Sequence, residues 1–495
     1  MAKISVIGSG FSGLSAACFA AKQGHEVTVY EKNRVIGGRS RFYEENGFVF
    51  DMGPSWYWMP DVFEKFFKNF DRSPGDYYNL VQLDPGFQIF FGEYSKLQVP
   101  AKLEDIYTVF ESIEKGSTEK LKKFLAEGGL KYKVGMEKLV YKPALSWMEF
   151  ANYDVISGAL KSHIFTSIKT YVRSFFKDER LIALMEFPVL FLGAMPKQIP
   201  ALYSLMNYAA LAKGTWYPME GMYKVVSGIE KTAFELGATF LTNCEVEKIN
   251  VKNGKAISIK TSLGDFDTDV IIASADYHHV EQKLLDAEQR NYTEKYWEER
   301  TFAPSCLIYY VGVNKKINNL IHHNLFFDTD FEQHAKEIYE NPTWPKEPLF
   351  YVCCPSKTDV SVAPAGMENL FILVPISPDL KDTPEMREHY FSSIIKRIEN
   401  KCKDTFAENI IYKKTYCVND FVSDYNAYKG NAYGLANTLK QTAVLKPSSK
   451  NKKINNLFYA GQLTVPGPGV PPALISGEIA ATLANNYLKT LKNAD

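Results

Sequence analysis

The residues that most restrict this chain stand at its start. Lys3–Ile7, KISVI, has the apolar, β-branched run of a buried strand. Gly8-Ser9-Gly10-Phe11-Ser12-Gly13 follows at once. Then comes LSAACFAAKQG, whose Ala16, Ala17, Ala20 and Ala21 suit a helix packed closely on a sheet. Gly24 ends that helix, Glu26–Tyr30 (EVTVY) reads as a second strand, and Glu31 follows it, 18 residues beyond Gly13. Each piece has a physical job. Gly8 permits a tight turn, Gly10 lets a pyrophosphate approach the backbone, and Gly13 lets the helix sit close to the strand. The helix N-terminus offers free N–H groups and a partial positive charge to the anion. Glu31 is placed to accept hydrogen bonds from a ribose hydroxyl. In this order the pieces predict a Rossmann-like α/β domain that binds a dinucleotide.

The next residues discriminate between dinucleotides. In Val35-Ile36-Gly37-Gly38-Arg39-Ser40 the glycine pair lets a second loop approach the ligand, and Arg39 adds a fixed positive charge. The chain has one full GxGxxG. The Val35–Ser40 run resembles the second glycine signature of the flavin amine oxidase superfamily, where it accompanies FAD, and flavoenzymes of the disulfide-reductase type carry a second GxGxxG for a nicotinamide domain, so the resemblance implies a bound flavin without such a domain. Near the C-terminus, Leu457–Ala460 forms a short strand, followed by Gly461-Gln462-Leu463-Thr464-Val465-Pro466-Gly467-Pro468-Gly469-Val470-Pro471-Pro472. Pro471 and Pro472 suit a helix start, and Gly477, Ala480, Ala481 and Ala484 make another small-residue packing face. One reading is a rigid proline loop before a terminal helix. The other is a helix whose positive end favours the negative charge of a reduced flavin.

Length and composition bound the rest. At roughly 150 residues per domain, 495 residues make about three units, which intertwining reduces to an expected two. The 57 basic and 57 acidic residues balance, so no net field draws nucleic acid. The 33 Phe and 30 Tyr must line a core or a large apolar cavity. Seven cysteines without a CxxC fit a reduced, cytoplasmic protein. The histidine pairs His278–His279 and His322–His323 lack an HExxH. Read as neighbours on strands they face opposite ways, so no metal is expected. No secretory signal and no membrane-spanning stretch is visible.

The motifs have a recognisable pattern. GQLTVPGPGVPPALISGEIAA resembles the C-terminal signature of the bacterial-type phytoene desaturases, the carotenoid desaturase family of the flavin amine oxidase superfamily. Trp216–Met222 followed by VVSGIEKTAFELGATF resembles that family's central segment, with Met219-Glu220 where a glycine often stands. Ala273–His279 resembles its NADxxH-type turn, with Ser274 in place of Asn. Gly47–Ser55 resembles its hairpin after the dinucleotide motif, and the likeness runs from about residue 3 to 485.

The resemblance implies a flavin amine oxidase-type fold with discontinuous parts. An FAD-binding domain would comprise 1–75, 215–290 and 416–495. An α+β substrate-binding, membrane-associated domain would comprise 76–214 and 291–415. It implies that FAD is held by Gly8, Gly10, Phe11, Ser12, Gly13, Glu31, Lys32, Gly37, Gly38, Arg39, Gly53, Pro54, Ser55, Val246, Gly461, Gly469, Val470 and Pro471. It further implies dehydrogenation of phytoene, a C40 polyene, toward lycopene by hydride transfer to the flavin, with quinone or oxygen as final acceptor. No catalytic acid or base is assigned. Other carotenoid reactions (3,4-desaturation, terminal methyl oxidation, isomerisation) remain open, as do amine oxidation and a non-catalytic lipid-binding escort. The last cysteine, Cys417, lies well before Gly461, which excludes covalent flavin attachment in that segment.

So insoluble a substrate must come from a bilayer, which implies a cytoplasmic protein resting peripherally on a membrane surface. Two stripes are candidates for the contact or for core: Ile164, Phe165, Ile168, Tyr171, Val172, Phe175 and Phe176, and Val62, Phe63, Phe66, Phe67 and Phe70. Sequence periodicity further predicts a helix over 222–236, strands at 239–243, 246–251 and 269–273 extending the first sheet, and a solvated loop at 446–453.

Overall fold

Two sheets share out the apolar residues. The computed structural model describes residues 1–92, 95–150, 166–188 and 193–492. The first sheet is wholly parallel, in the order Leu457–Tyr459, Val270–Ala273, Lys3–Ile7, Glu26–Tyr30 and Thr239–Leu241. Its central strands are buried on both faces, as unbroken apolar runs require. Helices Phe11–Lys22, Tyr223–Glu235 and Val470–Lys492 cover it.

The small residues seen in the sequence act where the first and last of these helices meet. A Cβ on Gly477 would lie 2.2 Å from the carbonyl oxygen of Ser12, and Ser15 Oγ donates to the Leu474 carbonyl at 2.7 Å. Asp51, at the end of the hairpin strands Phe42–Glu45 and Phe48–Asp51, accepts from the backbone N–H of Met222 and Tyr223 at 2.7 and 3.0 Å. It thereby ties the hairpin to the start of helix Tyr223–Glu235.

The second sheet has seven strands, in the order Ile410–Tyr416, Ser305–Val313, Glu368–Ile376, Phe350–Cys353, His323–Phe327, Phe87–Phe91 and Ser95–Val99. All its pairings are antiparallel except that of His323–Phe327 with Phe87–Phe91. One face packs on helix Pro384–Cys402, and the other on the helical segments between residues 103 and 212.

Three expectations need correction, and one alternative is decided. Strand Val246–Lys252 does not extend the parallel sheet. Asn253 and Gly254, at φ 52° and 70°, turn the chain back into an antiparallel three-stranded sheet with Lys255–Thr261 and Gly264–Asp267. Of the two readings open for the aromatic stripes, core or membrane contact, their described residues take core. Ile168, Val172 and Phe176 are buried, with Phe124 against Tyr171, Phe175 and Phe176; Ile164 and Phe165 fall outside the described residues. Phe63, Phe66, Phe67 and Phe70 are buried against the parallel sheet's helices, and Val62 is buried in the other core.

The stretch 446–453 is not a solvated loop. Tyr459 N–H donates to the Ser449 carbonyl, Asn451 N–H donates to the Leu457 carbonyl, and Lys446, Ser449 and Asn451 are buried. Nor do the histidine pairs alternate across strands. His278 and His279 sit on helix Tyr277–Lys283, and His322 precedes its strand, so its ring lies 4.5 Å from that of His323. Glu220, where a glycine often stands, has φ 71° beside Gly221 at 99°, so it adopts the backbone conformation that glycine suits.

Candidate active site

A cavity of about 830 Å³ begins at the end of strand Lys3–Ile7 and continues into the space over the seven-stranded sheet. Of the eighteen residues expected to hold a cofactor, all but Gly13 line it: Gly8, Gly10, Phe11, Ser12, Glu31, Lys32, Gly37, Gly38, Arg39, Gly53, Pro54, Ser55, Val246, Gly461, Gly469, Val470 and Pro471. Gly13 faces the other way. A Cβ there would stand 2.0 Å from the Gly8 carbonyl oxygen, so its hydrogen is what lets helix and turn meet. A Cβ on Gly10 would meet nothing within 4 Å, so that position opens into the cavity. Gly37 and Gly38, at φ 110° and 55°, bring the second loop against it, and a Cβ on Gly38 would lie 3.1 Å from Gly10 Cα.

Charge is arranged for an anion. The starts of helices Phe11–Lys22 and Val470–Lys492 both touch the cavity. Arg39 is half-buried among cavity-lining residues. One of its nitrogens donates to the Asn431 carbonyl at 3.3 Å, its guanidinium lies 5.1 Å from the Tyr425 ring centre, and its Nε has no hydrogen-bonding partner. Burial lowers its pKa, opposed by the nearby Asp276 carboxylate. Asp276 is in turn raised by burial and caps helix Tyr277–Lys283 by accepting from His279 N–H. The cavity-lining His279 is pushed down to about 4, chiefly by burial and then by Lys32.

Glu31, expected to accept from a ribose hydroxyl, is already engaged within the protein. Its carboxylate takes Ser9 N–H and Ser9 Oγ at 3.0 and 2.6 Å, and Asn33 N–H and Nδ2 at 2.9 and 3.0 Å. It therefore fixes the glycine turn as well as lining the cavity. Lys32 donates to the Ser423 carbonyl and to Asn426 Oδ1. An open glycine position, a half-buried guanidinium with an unpartnered Nε and the start of helix Phe11–Lys22 fit the pyrophosphate of an FAD.

Sequence reasoning missed other groups here. Ser274 Oγ, in the turn resembling NADxxH, lies 2.7 Å from Ser12 Oγ. Trp56 and Tyr351 line the cavity beside Ser55. Behind them His322, His323 and Cys353, all buried, gather with potential ligating atoms within 4.8 Å of one another. His323 and Cys353 are cross-strand partners, a relation that no local motif signals. The seven cysteines are all buried and unpaired.

Fold and site together define a dinucleotide-dependent oxidoreductase scaffold. The pattern of the "Flavin containing amine oxidoreductase" family matches residues 11–485. The chain is 39% identical over 480 residues to a carotenoid 3,4-desaturase of Haloarcula japonica, covering 97% of both chains. It is 30% identical to a zeta-carotene-forming phytoene desaturase of Myxococcus xanthus, covering 96% of this chain and 92% of that one. A crystal structure of an oxidoreductase from Methanosarcina mazei shares the fold, with a TM-score of 0.63 at 17% identity over 96% of this chain and 99% of that one. The chain belongs to the flavin amine oxidase superfamily, in its carotenoid desaturase family, and is an FAD-dependent oxidoreductase.

Proposed function

We propose that this enzyme dehydrogenates a long carotenoid polyene, taking phytoene toward lycopene. The observation that carries this reading is the continuity of the cavity. It passes from the glycine cradle, past Gly53, Pro54 and Ser55, between walls such as Met136, Val140, Phe187, Leu325 and Phe327. A hydrocarbon offers no hydrogen-bonding handle, so such a site selects by shape. When bound, FAD supplies a two-electron acceptor. Gly8, Gly10, Phe11, Ser12, Gly37, Gly38 and Arg39 would hold its pyrophosphate, with Gly13 allowing the close packing behind them. Glu31 and Lys32 would lie on the adenosine ribose side, with Val246 near the adenine. Gly53, Pro54, Ser55, Gly461, Gly469, Val470 and Pro471 would lie beside the ring. The second substrate is a quinone or oxygen. The domain division follows the two sheets: 1–75, 215–290 and 416–495 for the cofactor, 76–214 and 291–415 for the polyene.

Membrane contact falls at the cavity mouth. Leu145, Trp147 and Met148 are 45, 63 and 83% exposed, and Trp147 also lines the cavity beside Lys142. Apolar side chains flanked by a cation suit a lipid interface. Among the described residues no helix is long and apolar enough to cross a membrane.

A second reading, desaturation at the 3,4 position, is favoured by the 39% identity to the Haloarcula japonica protein. Expression in cells making phytoene and in cells making lycopene separates the two. Coloured product from phytoene supports the first. Colourless phytoene with a red-shifted product from lycopene supports the second. No change in either carotenoid refutes both.

A further inference from the structure

Desaturation leaves a proton to dispose of. The substrate gives up a hydride equivalent, two electrons with one proton, to the flavin from one carbon, and a proton from the carbon beside it. Walls of Leu, Phe and Met cannot keep that proton, because an isolated charge in an apolar site is costly. Resting on the desaturase reading, we propose that Tyr351, His323 and His322 form a proton wire that carries it from the substrate cavity to solvent.

The wire begins in the cavity. Tyr351 lines it, and the Tyr351 hydroxyl lies 2.9 Å from Ser55 Oγ and 2.6 Å from His323 Nδ1. Strands Phe350–Cys353 and His323–Phe327 run antiparallel, which puts Tyr351 diagonally across from His323 on one face of the sheet. Trp56 stacks on the His323 ring at 4.1 Å with an interplanar angle of 9° and holds it in this orientation. His322 abuts His323 ring to ring. On its far side His322 Nδ1 lies 2.8 Å from Thr358 Oγ1, and Thr358 is only half-buried.

One observation shows that the middle of the chain is built to conduct. His322 Nε2 and His323 Nε2 are both buried with no hydrogen-bonding partner, and native interiors rarely leave such atoms unsatisfied. Beside His322 lies a cavity of about 20 Å³, lined by Ser55, His322, Cys353 and Asp51 among others. That is room for one water at His322, one of whose ring nitrogens stands within 4.8 Å of a ring nitrogen of His323, a gap that one water spans. Tyr351 takes the substrate proton on its oxygen while passing its own to His323 Nδ1. His323 releases its Nε2 proton through the water to His322 Nε2, and His322 releases its Nδ1 proton to Thr358 and solvent. Each nitrogen ends the cycle in the opposite protonation state, and reorientation of the rings and hydroxyls resets it. Burial drives both imidazoles toward the neutral form, so they pass a proton on rather than keep it.

The test uses the full-length, FAD-loaded enzyme and its Tyr351→Phe and His323→Gln variants, mixed without oxygen with vesicles carrying phytoene or lycopene. Flavin reduction should slow about 100-fold in both variants, with FAD content and substrate affinity unchanged. Reduction of the wild type should slow in D2O, and Tyr351→Phe should lose that sensitivity. A crystal structure should show an ordered water joining the two Nε2 atoms. Undiminished reduction in Tyr351→Phe overturns the wire, and so does an equivalent of metal in the purified protein, held by His322, His323 and Cys353. Phe keeps the ring, so this variant stands as the test if His323→Gln does not fold. A wild type reduced by neither carotenoid refutes the desaturase reading and takes the wire with it. A wild type reduced normally beside equally fast variants refutes the wire alone.

Discussion

Two glycines three residues apart should fail in opposite ways when a methyl group is added. At Gly10 the backbone is extended (φ −68°, ψ 175°), so alanine fits without strain, and the new Cβ meets no protein atom within 4 Å. Gly10→Ala should leave the flavin-free protein as stable as wild type or more so by about 0.4–1 kcal/mol, because the unfolded chain loses freedom. The same methyl enters the space expected for the pyrophosphate. Displaced charge-assisted hydrogen bonds are worth about 1.5–3 kcal/mol, which lowers FAD affinity roughly 10- to 150-fold.

At Gly13 the Cβ would stand 2.0 Å from a backbone oxygen, where about 3.0 Å is the closest approach, so helix or turn must move by about 1 Å. Backbone cannot swing aside like a side chain. Gly13→Ala should therefore destabilise even the flavin-free protein by about 3 kcal/mol, the upper range for overpacking. Urea denaturation of flavin-free protein, with flavin absorbance after desalting, reads both quantities. Unchanged FAD retention in Gly10→Ala, or equal destabilisation by both substitutions, would refute the assignment of Gly10 to the ligand and Gly13 to packing.

The remaining expectations are these. Glu31→Ala should weaken FAD binding and also destabilise the flavin-free protein by about 1–3 kcal/mol, because the buried Ser9 N–H loses its acceptor; a melt showing no loss without FAD would contradict the dual role. Lys446 is buried without a partner, and burial pushes its pKa down to about 7. The unfolded chain thus holds more protons than the folded one between pH 7 and the ordinary lysine range. Stability should rise with pH across that window by up to about 1.4 kcal/mol per unit, and Lys446→Met should flatten the rise in urea titrations at pH 7 and pH 9. Trp147→Glu with Met148→Glu, both on exposed positions, should leave folding and FAD content intact while reducing co-sedimentation with anionic vesicles; undiminished binding would place the membrane contact elsewhere.

What the sequence showed and what it hid separate by range. Residues 3–31 carry their instructions locally. The glycine spacing, the alanine face and the closing acid specify turn, helix and strand without reference to anything distant, and each lies where its chemistry requires. The proline-flanked glycine loop is as local, and the helix after it begins at Val470. Partners that meet across the chain were invisible. Neither Glu31's grip on Ser9 nor the fate of Lys446, whose neighbours include Gly467 and Asn437, follows from a neighbouring residue. The aromatic stripes at 62–70 and 162–177 left core and membrane both open because amphipathicity records only that one face is apolar. Whether protein or lipid covers it is decided by what packs there, in this case Phe124 and helix Phe11–Lys22. The turn resembling NADxxH pointed to the dinucleotide side, yet its Ser274 works by meeting Ser12 across 262 residues.

The two helix starts at the cavity are not independent devices. Gly477 against the Ser12 carbonyl and Ser15 against the Leu474 carbonyl lock helix Val470–Lys492 to helix Phe11–Lys22 within their first three turns. The first helix aims at the place expected for a pyrophosphate, and the last at the place expected for the ring. An anion at one end therefore sits in a frame shared with the other, and a shift of the joint displaces both partial charges together. That coupling accounts for small residues on both helices where larger ones would bury more apolar area. Closeness of two dipoles to one ligand is what the packing maximises, since their effect falls off within the first turn of each helix. The hydrophobic burial forgone at the joint is recovered beneath it, where Leu14, Ala17, Leu474 and Ala481 are buried on the parallel sheet's side of the molecule.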